Sequence, residues 1–334
     1  MLTQQSDTGS QRAISPAFGV RYIEVHVKGQ PTLAPSVQLS ERTVVSVGGW
    51  LKTATVKDED LVEGELVPNP ESFIPRLREA GLDADLFTFV QRLPDTDPRY
   101  DFHMELDNIA AVPVTTYSEW WDKHTDAGVR RAIRRAAKTG VTISISDLDD
   151  AFVDGIVKIN NETPIRQGRQ FWHYQKSADA VRAENATFAE RNIFVGAYYE
   201  SEMIGFMRLT LCNRAARVVQ ILSMIKHYDK RPANAMLAKA VEICEQRGID
   251  YLVYGNYIYN DPKSSLTEFK RRNGFQQFFL PRYYVPLTTK GNVAIRLGFH
   301  RGLAKAVPES MRLKLIQLRN DWYSRRAKSS EGSM

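Results

Sequence analysis

Residues 193–275 constrain the fold more than any other part of this chain. Three apolar segments follow one another at 193–199, 203–211 and 217–225, each of strand length and rich in Val, Ile, Phe and Leu. Glu200-Ser201-Glu202 separates the first two and residues 213–216 the next two, so hairpin turns are expected there. A helix over 232–247 comes next, with Met236, Leu237, Ala240, Val241 and Cys244 on one apolar stripe. Gly248 ends it, and a strand at 251–255, a helix at 264–272 and a last strand from Phe275 complete the run.

The preceding chain is a smaller mixed lobe, 18–117. Strands are expected at 20–27, 43–47, 85–91 and 108–114, a helix from Asn69 stopped by Gly81, and a loop at 93–99. One helical stretch over 118–140 then opens a larger domain, 118–290, followed by a strand from Val141 and helices near 148–161 and 177–190. On the first of these helices Arg130, Arg131, Arg134, Arg135 and Lys138 share one arc and small residues the other. The plain alternative for that arc is a solvated face, paired with the acidic stretch 52–107, which has fourteen acids against six bases.

Charge and composition exclude several classes. With 334 residues, 43% hydrophobic and 25% charged, the chain is a folded protein and not a disordered, collagen-like or disulfide-framed one. No apolar run reaches the roughly 18 residues of a membrane helix, and the polar N-terminus, 1–17, lacks the plan of a signal peptide. Two cysteines without a Cys-x-x-Cys point to a reducing cytosol. The net charge of +6 resides in the tail, 291–334, where nine bases face three acids; the rest balances to zero. That tail suggests two short helices divided near Val307-Pro308, with Met311, Leu315, Leu318 and Trp322 on one face of the second. It is expected to dock on the core or to touch an anionic membrane from the cytoplasmic side. The six histidines show no metal-ligand spacing, so no metal is expected. No Walker loop or Gly-x-Ser-x-Gly elbow is present, and DNA is not an expected partner.

Chemistry concentrates in two places. The helix opening at Pro232 has Arg231 at its cap, a residue that cannot accept from the helix amides, with Lys230 beside it and small Ala233 and Ala235 within the first turn. Such an end suits an anion. The loop 160–174 packs Glu162, Arg166, Arg169, Trp172, His173 and Tyr174 together. Arginine forks bind carboxylates and phosphates and aromatic faces stack on rings, so this loop is expected to recognise an acceptor through Arg166, Arg169, Trp172 and Tyr174. Glu162 or His173 is its candidate general base. A hydrogen-bonded structural histidine and ordinary packing of Trp172 are the plain alternatives.

The order of elements resembles the GNAT acyltransferase superfamily. Lys230-Arg-Pro-Ala-Asn-Ala235 resembles its pyrophosphate loop, [Gln/Arg]-x-x-Gly-x-[Gly/Ala], with lysine in first place and alanine at both small positions. Residues 127–141 and the run Phe269-Lys270-x-x-x-Gly274-Phe275 are similar to the Arg-rich helix and the Phe-Lys-x-x-x-Gly signature of Fem-type peptidoglycan-bridge aminoacyltransferases. The resemblance implies an α/β (α+β) architecture: a GNAT fold with a mixed, mostly antiparallel central sheet flanked by helices, preceded by a smaller degenerate GNAT-like lobe. It implies N-acyl transfer from acyl-CoA or an aminoacyl-tRNA to a small-molecule or lipid-linked amine, in cell-envelope or polysaccharide synthesis. It also implies oxyanion donors among the amides from Met224 to Lys226 and an active-site role for Lys270. The thiolate-protonating tyrosine of thioester-using members falls at Phe269, leaving Tyr257 and Tyr259 as substitutes. The reading from a different class is a non-catalytic module whose basic helix grips tRNA or another polyanion.

Overall fold

The computed structural model describes residues 19–27, 30–259 and 261–301. The expectations for 1–17 and for the tail helices beyond residue 301 lie outside the described residues. Twelve strands form one sheet, and it divides into two halves of the same plan. In the first, β1 (Arg21–Val27), β2 (Gln30–Leu39), β3 (Arg42–Val47) and β4 (Thr53–Val56) pair antiparallel in sequence. Helix α1 (Pro70–Glu79) then crosses over, and β5 (Leu86–Val90) lies parallel to β4. The sequence fits this helix: Asn69 caps it by accepting from Ser72 N at 3.2 Å, and Pro70 opens it.

The second half repeats the scheme. β7 (Thr142–Ser146), β10 (Asn192–Tyr199), β11 (Glu202–Cys212) and β12 (Ala215–Ser223) are mutually antiparallel neighbours, and β13 (Tyr251–Val253) lies parallel to β12. The crossover is α6 (Pro232–Gln246). Glu200 and Ser201 both adopt positive φ, 49° and 67°, the turn that matches strand twist in a two-residue hairpin. Each half is completed by a strand from elsewhere in the chain: β6 (His103–Pro113) pairs with β13, and β14 (Gln276–Pro286) with β5. β6 and β14 also pair with each other, so they are the seam of the sheet.

Alternating residues of β11 show how the layers are filled. Met207 and Leu209 join a core under α6 and α3 (Ala127–Lys138), with Ala136, Met236 and Leu237. Phe206 points the other way, onto Phe152 and Ile156 of α4 (Asp150–Asn160) and Val181 of α5 (Ala178–Asn185). In the first half Phe73, Ile74 and Leu77 of α1 meet Phe87, Phe89 and Tyr283. Each fully buried side chain of this size contributes about 2–3 kcal/mol over an exposed one. Two short helices, α7 (Ser265–Arg272) and α8 (Thr289–Arg296), flank β14.

The stretch expected as one helix over 118–140 is in fact broken. Helix α2 (Tyr117–Glu119) passes into a π-type turn, Trp120–His124, and stops where Thr125 is extended. Asp126 then restarts the chain as α3 by accepting from Gly128 N at 2.7 Å. An aspartate that can cap competes with helix continuation, which a periodicity argument does not weigh. The loop after α4 forms a two-strand hairpin, β8 (Ile165–Arg166) and β9 (Arg169–Gln170).

Candidate active site

The parallel contact of β12 with β13 lasts three residues, Ala215–Arg217 against Tyr251–Val253. Beyond it the chain leaving β13 follows β6: Tyr254 N donates to Ala110 O, and Ala110 N donates to Gly255 O, both at 2.8 Å. β12 continues to Ser223 beside β11 alone. It also bulges, since Arg208 faces Gln220 and Leu209 faces Val218, which leaves Val219 unpaired and exposed. The sheet is therefore wedged open at the carboxyl ends of two parallel strands, the place where an open sheet receives a ligand.

α6 begins at this opening. Arg231 is its N-cap with φ 59° and makes no side-chain cap, as the sequence suggests, and Pro232 occupies the first turn. The residues around it are not all available. Lys230 packs its ammonium 4.6 Å from the centre of the Tyr199 ring and 3.6 Å from Asp229. Ala233 is half-buried, while Ala235 faces the core and cannot line a ligand. Lys226 holds both oxygens of Glu202 at 3.0 Å.

The expected oxyanion donors are occupied. Met224 N donates to Ile204 O at 2.8 Å, and Ile225 N and Lys226 N donate to the two carboxylate oxygens of Glu162 at 2.6 and 2.9 Å. Glu162 is thus not a free base; its charge neutralises these amides and Arg166, 3.1 Å away. Arg166 in turn donates to Ser223 O (2.9 Å) and Ile159 O (2.8 Å) and lies 4.9 Å over Phe171. Its fork is spent on the protein, which corrects the expectation of a carboxylate-binding arginine. His173 is buried, 3.2 Å from Gln220 Nε2 and beneath Trp172, with ring centres 3.7 Å apart. Burial, then Lys176 and Arg166, push its pKa down to about 4. It is the structural histidine of the plain alternative. Trp172 is half-exposed under the ammonium of Lys176 at 3.7 Å, Arg169 is exposed on β9, and Tyr174 is half-buried.

Lys270 lies fully buried beside the chain that leaves β13. Its Nζ donates to Asn256 O at 2.5 Å and sits between the rings of Tyr254 (4.4 Å) and Tyr259 (4.7 Å). No carboxylate is within ion-pair distance among the described residues, and desolvation pushes its pKa down to about 8. The neighbouring signature residues have structural reasons. Gly274 has φ +85°, and a Cβ there would meet Trp120 Nε1 at 3.0 Å and His124 O at 3.1 Å. Tyr257 packs its ring on the core of the second half, and its carbonyl accepts from Thr267.

Asn256 also lines a cavity of about 490 Å³ where the two halves meet. Its walls carry Glu59, Asp60, Arg92, Arg217 and Arg282. Arg217 pairs with Asp60 at 2.8 Å, and Arg282 spans Glu59 (2.6 Å) and Asp107 (2.5 Å). Sequence reasoning missed these groups. They come from four separate stretches, and an arginine inside an apolar strand such as Arg217 was the one signal. Glu59, Asp60 and Asp107 of the acidic stretch are engaged here, and among the described residues no acid of 52–107 pairs with α3, whose Arg131, Arg134, Arg135 and Lys138 stand exposed. Arg130 differs, donating to Trp121 O and Thr125 O, and Arg134 lies 5.3 Å over the Trp121 ring. α3 packs along α6 and the turn Ile225–Lys230.

Solved structures of other proteins share this fold. FemX has this fold, with a TM-score of 0.54 at 10% identity over 79% of this chain and 88% of that one. So does L-PGS from Bacillus licheniformis, with 0.51 at 13% identity over 80% and 89%. A C-terminal DUF2156 domain from Agrobacterium fabrum gives 0.50 at 14% identity over 78% and 85%. No protein-family model and no curated protein matches the chain. Among the described residues no helix is long and apolar enough to cross a membrane.

Proposed function

We propose that this protein is an N-acyltransferase that moves an aminoacyl group from aminoacyl-tRNA to an amine acceptor. The observation that carries the reading is Lys270: a buried ammonium without a carboxylate partner among the described residues, held by Asn256 O on the chain that leaves β13. Transfer from an ester leaves negative charge first on the carbonyl oxygen and then on the leaving ribose oxygen. A desolvated cation with a pKa of about 8 supports both, by electrostatic stabilisation and by giving up a proton to the departing oxygen. The acceptor amine must arrive deprotonated, and the charged cavity at Asn256 would orient it.

Three observations favour tRNA over coenzyme A as donor. At the position of the pyrophosphate loop, Lys230 is engaged with Tyr199 and Asp229, and Ala235 faces the core. The exposed bases of α3 give an extended surface suited to a polyanion. Phe269 also lacks the hydroxyl that would protonate a thiolate. This reading places the enzyme in the cytoplasm with the charged tRNA pool. It leaves an acceptor in cell-envelope synthesis, and contact of the basic tail with an anionic membrane, as its natural extensions. The test is discharge of mixed aminoacyl-tRNAs in the presence and absence of amine acceptors. Amine-dependent discharge supports transfer. Tight tRNA binding without discharge would support the non-catalytic polyanion-binding module, and turnover of acyl-CoA alone the thioester donor.

A further inference from the structure

Two histidines that lie 197 residues apart in the chain meet at the seam of the sheet. His103 and Glu105 are two apart on β6 and so project from the same face. His300, in the short turn Phe299–Arg301 that follows α8, reaches back to them. His103 Nε2 is 3.3 Å from His300 Nε2, His300 Nε2 is 2.7 Å from Glu105 Oε1, and His103 Nε2 is 3.9 Å from Glu105 Oε1. Three lone-pair-bearing atoms thus converge on one point, with the two imidazole planes 84° apart.

These separations have a metric reading. A transition-metal ion with bonds of about 2.0–2.1 Å sets its ligand atoms roughly 2.9–4.1 Å apart, depending on whether they are cis, tetrahedral or trans. The three observed distances lie in or close to that span. The surroundings are those of an outer shell. Arg301 Nε donates to Glu105 Oε1 at 2.6 Å, as a ligating carboxylate is normally hydrogen-bonded. The Tyr284 ring covers both imidazoles, with centres 4.8 Å from His300 and 6.2 Å from His103. The His300 side chain is 1% exposed and that of His103 38%, so the point is shielded on one side and open on the other. His300 Nδ1 is buried with no hydrogen-bond partner, which leaves Nε2 as the one ring nitrogen engaged with the cluster.

We propose that His103, Glu105 and His300 form a binding site for a divalent transition metal of the zinc class, with a water completing the coordination on the open side. Two imidazoles and one carboxylate suit zinc and its neighbours, while magnesium and calcium require oxygen sets. The ion joins the central strand β6 to the turn Phe299–Arg301 that follows α8, and so acts as a clasp between them. This site is independent of the acyl-transfer reading and shares no residue with it.

The experiment uses the full, untagged chain, stripped with chelator and titrated with zinc sulfate by calorimetry. One zinc per chain is expected. His103→Gln and Glu105→Gln, both outside the core clusters, are each expected to weaken binding by more than the roughly 10–100-fold that losing an outer-shell partner costs. Zinc is also expected to slow amide exchange at residues 298–301, a readout in the wild-type chain that stands even where a variant fails to fold. Absence of zinc binding, unchanged affinity in both variants, unaltered exchange at 298–301, or magnesium binding in zinc's place would each overturn the proposal.

Discussion

At the scale of single residues, the decisive property is whether a polar group is already spent. Glu162 bonds two backbone amides and Arg166. Its replacement by alanine leaves both amides and a largely buried guanidinium short of an acceptor, so a loss of about 1–3 kcal/mol is expected in urea unfolding. Lys270 is the opposite case, a buried cation with one carbonyl. Its folded pKa of about 8 lies below the ordinary 10.5, so between these values the unfolded chain binds more protons. Lys270 therefore costs stability at neutral pH, and that cost is relieved as pH rises from about 8 towards 10.5. Comparing wild type with Lys270→Met by thermal melting should show the variant's advantage shrinking over that window, from a difference of order 1–3 kcal/mol. A pH-independent difference would mean that the ammonium is solvated.

At the scale of elements, the exposed face of α3 is a separable unit. Replacing Arg131, Arg134, Arg135 and Lys138 with alanine should leave the melting temperature within a few degrees, since all four are exposed. The log–log salt slope of tRNA binding should fall by about 0.7–0.9 for each phosphate that is no longer neutralised. An unchanged slope would remove α3 from the interface. Gly274→Ala should destabilise by at least about 1 kcal/mol, because φ +85° and the close Trp120 indole both oppose a Cβ. Much of the element layer was legible in the sequence. Asn69 and Pro70 mark the start of α1, and Pro232 and Gly248 bracket α6. β2 was not legible, because Pro31 and Pro35 argue against a strand, yet it pairs with β1 at His26 and Tyr22. In the candidate site, the bare cap of α6 could be read from residue type and spacing, while Lys270 was singled out only through the resemblance of its Phe-Lys-x-x-x-Gly run. The roles of Arg166, His173 and Glu162 could not, since composition does not tell whether a side chain's hydrogen bonds are satisfied within the fold.

At the scale of the molecule, β14 pairs with β5 of the first half and β6 with β13 of the second, and the pairing of β6 with β14 ties the halves together. Neither half-sheet closes without a strand contributed from elsewhere in the chain. Urea unfolding followed by far-ultraviolet dichroism and by tryptophan fluorescence should therefore give one coincident transition. Two separated transitions would show lobes that fold alone. The same seam carries the 490 Å³ cavity, so a ligand in it would be held by both halves. The most direct measurement of the central claim is the rate of amine-dependent discharge of aminoacyl-tRNA by wild type and by Lys270→Met. The account predicts discharge by the wild type and a loss of at least about 100-fold in the variant, with tRNA affinity retained. Equal rates in the two proteins would contradict it.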